Sequence, residues 1–226
     1  MRHEARGAGP SGTPLSAVIF DVDGVLVQSM ERHFESYQKA YDTLGVRVTR
    51  EDVFDNEGRG SREIIRAISD EHGLGLSAEK LEQLNAIKQQ TFAAFGPMPM
   101  YPGAEAMIRA LHAEGLKLAL VTGTVRRNVD AHFPQLVPLF DAIVTADDVK
   151  RTKPDPEPYL KAVEKLALPA GACIVVENAP LGIRAAKGAG LRVVGITSTL
   201  PPVRLAEADW VVADINAARK AVEALR

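Results

Sequence analysis

Ala17-Val18-Ile19-Phe20-Asp21-Val22-Asp23-Gly24 decides how this 226-residue chain is read. Four apolar residues in a row predict a short buried strand. Two carboxylates follow at its C-terminal end, where open α/β sheets bind their ligands. In extended backbone, residues two apart point to the same side, so Asp21 and Asp23 can face one centre. Gly24 lets the chain turn away without a steric penalty. Two like charges this close favour a bound cation or a shared proton.

From Pro102 onward, further strand-like runs alternate with helical patterns. Leu116–Val121 ends at Thr122-Gly123, and Ala142–Val144 is shorter. Cys173–Val176 ends at Glu177-Asn178, and Arg192–Ile196 and Trp210–Val212 complete the set. Helical patterns lie between them, over 104–113, 156–166, 181–189 and 215–225. Strands alternating with helices imply βαβ units, hence a doubly wound parallel sheet of the α/β class. The stretch from Ser29 to about Phe95 differs: apolar residues recur at helical spacing and no strand is evident. Phe34, Tyr37, Tyr41 and Leu44 form one such series, Ile64, Ile65 and Ile68 another, and Leu81, Leu84, Ile87 and Phe92 a third. The first of these is expected to be core of the insert. Thr49 and Ser61 read as N-caps. The expected organisation is a tail over 1–14, a core domain over 15–28 and 97–226, and a helical cap over 29–96. Gly96-Pro97-Met98-Pro99 serves as the return linker.

Composition narrows the function classes. A net charge of −2 offers no electrostatic case for nucleic acid or a membrane surface. No apolar stretch reaches the roughly 18 residues of a membrane span. Residues 1–14 lack the apolar centre of a secretory signal and read as a disordered tail. The single cysteine, Cys173, excludes an internal disulfide or a multi-Cys zinc site. Its apolar strand context predicts a buried thiol, in keeping with a reducing, cytoplasmic setting.

Placed on this frame, Asp21, Asp23, Thr122, Lys153 and the Glu177-Asn178 pair gather on one sheet edge. Two acids, a hydroxyl, a lysine and a further acid-amide pair suit a phosphate with a hard divalent cation such as Mg2+. Arg126 and Arg127 read as a solvated helix start, and Asp147 and Asp148 as a plain loop.

These residues, in the order Asp21-Val22-Asp23-Gly24, Thr122, Lys153-Pro154-Asp155-Pro156 and Glu177-Asn178-Ala179-Pro180-Leu181-Gly182-Ile183, resemble the haloacid dehalogenase superfamily. The match is to its branch with a helical cap after the first strand, which includes phosphoglycolate phosphatases and β-phosphoglucomutases. The resemblance implies a Rossmann-like core and a covalent route through an aspartyl-phosphate. It implies Asp21 as nucleophile and Asp23 as general acid and base. Thr122 would bond the phosphoryl group and Lys153 would neutralise its charge. Mg2+ would be held by Asp21, the Asp23 backbone carbonyl, Glu177 and Asn178. His33, Arg62 and Gly123 match substrate-binding positions. Two departures stand out. Asn178 replaces a second acid, which predicts weaker metal binding unless Glu177 compensates. Gln28 replaces an acid at the hinge into the cap.

The expected enzyme is a Mg2+-dependent phosphatase of a small phosphorylated metabolite, as a monomer or small homo-oligomer. A phosphosugar mutase is the first alternative; it lacks support from the mutase loop's lysine, since Gly58 stands there. A non-catalytic phosphate-ligand module comes second, and dehalogenation is the weakest reading.

Overall fold

The computed structural model describes residues 13–132 and 134–226. All but the last two residues of the expected tail therefore lie outside the described residues. Strand β1 (Ala17–Phe20) runs between β2 (Lys117–Val121) and β4 (Cys173–Glu177). Strand β3 (Ala142–Val144) lies beyond β2, while β5 (Arg192–Ile196) and β6 (Trp210–Val212) extend the other side. The order is β3-β2-β1-β4-β5-β6, and every pairing is parallel. After β3 the chain returns to pair β4 with β1, so the winding reverses between those two strands. A crevice opens beyond the carboxyl ends of strands at such a reversal. The fold is thus the α/β class read from the sequence, and each expected strand is present.

Both sheet faces are covered, which is why β1 is apolar throughout. Val18 and Phe20 pack with residues of α5 (Ala104–Ala113) and α9 (Ile215–Glu223). Ala17 and Ile19 pack with α7 (Glu157–Leu166) and α8 (Pro180–Gly188). Burying each such aliphatic side chain contributes about 1.5–3 kcal/mol, so the strand that carries Asp21 is rigidly seated. Cys173 is buried as expected, and burial pushes its thiol up to about 11. Short helix α6 (Arg126–His132) follows β2; the sequence showed only its start, and Val129 is its core residue among those whose burial is described.

Between β1 and α5 lies a helical insert: α1 (Met30–Tyr41), α2 (Arg50–Phe54), α3 (Ser61–Glu71) and α4 (Ala78–Ala94). It has its own core of Tyr37, Tyr41, Val53, Ile65, Ile68 and Leu84. Thr49 caps α2, its side chain accepting from Asp52 N while Asp52 accepts from Thr49 N. Ser61 does not cap α3; it is that helix's first residue, Gly60 is the cap, and Ser61 Oγ instead donates to Asn85 on α4 at 2.8 Å. The two linkers run side by side. Val27 bridges to Met100, and Gln28 bonds Pro99 O through its backbone and Met100 O through its side chain. Gln28 therefore fastens the hinge. The cap rests on the core through Glu63 with Thr152 and Asp55 with Arg204, and Leu200 of the core joins the cap's apolar cluster.

Candidate active site

Asp21 is the first residue beyond β1 and is buried. Lys153, 2% exposed, donates from Nζ to Asp21 Oδ1 at 2.6 Å and to Glu177 Oε1 at 2.7 Å. Glu177 Oε1 also accepts from the Tyr159 hydroxyl, and its Oε2 accepts from the backbone N–H groups of Asn178 and Ala179. A carboxylate offers about four lone-pair directions, and all four are engaged. This corrects the expectation of Glu177 as a metal ligand: it anchors Lys153 instead. Gly182 makes the arrangement possible, since a Cβ there would lie 1.6 Å from Glu177 Oε1. Burial opposes the charge on Lys153, but Asp21 and Glu177 outweigh it and keep the ammonium protonated. The Asp21 carboxyl is pushed upward, by burial first and against the pull of Lys153, with Glu177 and Asp23 adding to the rise.

Asp23 sits two residues on, held from the cap side. Ser29 Oγ donates to Asp23 Oδ1 at 2.5 Å, and His33 Nε2 lies 3.3 Å from the same oxygen. Lys88 of α4 donates to His33 Nδ1 at 3.2 Å, which makes Nε2 the protonated nitrogen of a neutral ring. Burial and Lys88 both lower the His33 pKa, so the ring stays neutral at pH 7. Phe92 stacks on it at 4.1 Å. Burial alone would raise Asp23, but His33, Ser29 and Lys88 outweigh it and hold the carboxyl at about 2. With His33 neutral, the hydrogen bonds and the Lys88 charge carry that effect at pH 7. Burial lowers Lys88 itself to about 8.

Thr122 is buried at the end of β2 and accepts from Thr124 N; Gly123 follows it on the cavity wall. Cap backbone packs over Gly123, where an added Cβ would lie 3.5 Å from Arg59 O. Asn178 is fully buried beside Gly24, whose φ of +81° and lack of a Cβ permit the approach. Its Nδ2 donates to Glu57 Oε2 at 2.9 Å and to Thr199 Oγ1 at 3.0 Å, while its Oδ1 has no partner. Glu57, on the loop before α3, is buried with Oε1 likewise unpartnered. Burial, then Asp21 and Glu177, push its carboxyl well above the usual range.

Asp21, Asp23, His33, Glu57, Lys88 and Gly123 border one cavity of about 340 Å3 between cap and core. Arg62 stands at its mouth rather than inside: the side chain is 72% exposed and paired with Glu82. Arg126 and Arg127 are both exposed at the start of α6, as expected; Arg126 pairs with Asp130, and Arg127 also lines the cavity. Asp147 and Asp148 lie in a short 3-10 turn rather than a plain loop: Asp147 accepts from Arg126 N, and Asp148 accepts from Thr145 N and pairs with Lys165. Sequence reading missed Glu57, Arg59 and Lys88, whose only signal was their place on the cap.

Among the described residues, no three His, Cys, Asp or Glu side chains form a self-contained metal cage. Mg2+ does not need one: it favours one or two carboxylates with other oxygens and substrate phosphate. Asp21 and the unpartnered Asn178 Oδ1 fit that chemistry.

Fold and site define a phosphoryl-transfer enzyme with a lidded pocket. A family model described as haloacid dehalogenase-like hydrolase matches residues 18–196, and the chain belongs to that family. It is similar to the protein CbbY of Rhodobacter capsulatus, 33% identical over 216 residues, with 90% of this chain and 95% of the relative covered. Validoxylamine A 7'-phosphate phosphatase of Streptomyces hygroscopicus subsp. limoneus is 33% identical over 206 residues, covering 89% and 94%. A candidate β-phosphoglucomutase structure from Bacteroides vulgatus aligns with a TM-score of 0.82 at 33% identity, covering 94% of this chain and 89% of that one. The protein is a phosphatase that acts on phosphorylated substrates. Among the described residues, no helix is long and apolar enough to cross a membrane.

Lys88 sets a testable pH limit. Its ammonium is present below about pH 8 and lost above it. As it deprotonates, the contact that orients His33 on Asp23 weakens. An alkaline limb in kcat/KM with an apparent pKa near 8 is expected. Lys88→Met should remove that limb and lower activity at neutral pH by about 10- to 100-fold, up to the lower end of general acid-base effects, because Lys88 acts through His33. A pH-rate profile of both proteins checks this.

Proposed function

We propose that the enzyme is a Mg2+-dependent phosphatase of a small organic phosphate monoester, acting through an aspartyl-phosphate on Asp21. The observation that carries this reading is a buried carboxylate at the end of the central strand, bound by Lys153, with a second carboxyl wired to the cap. Asp21 attacks phosphorus while the leaving oxygen takes a proton from Asp23. Asp23 then accepts a proton from water as that water attacks phosphorus, which frees phosphate and restores both carboxyls. The hydrogen bonds from Ser29 and His33 suit Asp23 to the second step. A phosphoryl dianion beside it opposes its ionisation and favours the protonated form for the first. Lys153 and the Thr122 hydroxyl stabilise charge on the transferring group.

Asp21, the Asp23 backbone carbonyl and Asn178 would hold Mg2+, which neutralises charge between nucleophile and phosphate. Arg59, Lys88 and Arg127 border the cavity and favour an anionic substrate; Arg59 Nε is buried without a partner. A cavity of about 340 Å3 recessed between cap and core suits a metabolite rather than a protein side chain on a folded surface. Phosphate release should be measured over a panel of sugar phosphates, phosphoglycolate and nucleoside monophosphates, with Mg2+ and with EDTA. Turnover that EDTA abolishes and Mg2+ restores is the expected result. Turnover that needs a bisphosphate activator and yields little phosphate would mean a mutase, and equal turnover in EDTA would remove the metal from the scheme.

A further inference from the structure

Three carboxylates are buried here: Asp21 and Glu177 share the Lys153 ammonium, and Glu57 lies near enough to both to feel their charge. Lys153 pairs with two of the three, whereas Glu57 bonds the neutral amide of Asn178. Glu177 has no lone pair to spare. Beside it, Asn178 Oδ1 and Glu57 Oε1 are buried without a partner. They belong to side chains that touch each other through Asn178 Nδ2 and Glu57 Oε2 at 2.9 Å. Glu57 and Asp21 border the same cavity, although Glu57 comes from the cap and the others from the core.

We propose that Glu57 is a metal ligand supplied by the cap, replacing the acid that Asn178 does not provide. The acid has moved from core to lid, and the total charge is kept. The consequence is a linkage: the full ligand set exists only when the cap is down, so the cation favours closure and closure favours the cation. Coupling of this kind is reciprocal by thermodynamic necessity. This deepens the proposed Mg2+ site and rests on it for the identity of the cation.

The test needs no substrate. Mn2+ binding to the intact protein is followed by electron paramagnetic resonance, and compaction on adding Mg2+ by small-angle scattering. Glu57→Gln keeps the size of the side chain and an oxygen for Asn178 Nδ2. Its Mn2+ affinity should fall by at least about 10-fold, the lower end of what even an outer-shell partner contributes, and Mg2+ should no longer compact it. The double variant Glu57→Gln with Asn178→Asp should regain affinity without regaining compaction, which separates loss of a ligand from loss of folding. Unchanged Mn2+ affinity in Glu57→Gln, or Mg2+-driven compaction of the double variant equal to that of the parent, would overturn the proposal. Absence of Mn2+ binding in the parent protein would instead overturn the metal site on which it rests.

Discussion

Asp21→Asn is expected to lower kcat by at least about 10^4-fold, the scale on which loss of a covalent nucleophile acts. The amide has nearly the shape of the carboxyl, and its oxygen can still accept from Lys153 Nζ, now 2.6 Å from Asp21 Oδ1. It cannot form an acyl-phosphate. Removing one of several crowded negative charges also relieves repulsion with Glu177 and Asp23. Thermal stability should therefore be kept or slightly raised while turnover disappears. Phosphate release and a melting curve on the same preparation read both. Activity within about tenfold of the parent would mean that another group attacks phosphorus, since general acid-base help alone contributes only about 10^2- to 10^4-fold.

Lys153→Met should have the largest effect on stability. It leaves Asp21 and Glu177 buried without their shared cation. Removing one member of a buried ion pair costs about 3–5 kcal/mol. For a protein of this size that corresponds to a fall in Tm of roughly 6 to 20 °C. The sign of the pH dependence follows. Without Lys153 the buried carboxyls hold their protons to higher pH than in the unfolded chain. The folded state then binds more protons, and stability falls as pH rises through those raised pKa values. The deficit relative to the parent should be smaller at pH 5 than at pH 8. Melting curves across that range test it, and a deficit that grows on acidification would show that Lys153 does not hold the two carboxyls.

Much of this was legible in the chain itself. Ala17–Phe20 and the later apolar runs declare strands because their apolar character is local. The polar residues that follow each run then fall on one edge, because parallel strands end together. That placement alone brought Asp21, Asp23, Thr122, Lys153 and Asn178 into one region. Glu177 shows the limit of the argument: position put it at the metal site, whereas its hydrogen bonds gave it to Lys153. Arg62 shows another, since helical spacing cannot say whether a long side chain turns inward or pairs with Glu82 along the surface.

Sequence therefore determined the strand order of chemistry: which residue types end which strands, and that a helical insert follows the first. Those are properties of short segments, set by apolar periodicity and backbone geometry. Only the tertiary structure decided who meets whom across the lid. Glu57 reaches Asn178 across 121 residues of chain, and Lys88 reaches His33 across 55. In one dimension each is a charged residue among many on a polar cap. Burial, a missing partner and a shared cavity distinguish them, and those arise only when the cap is folded onto the core.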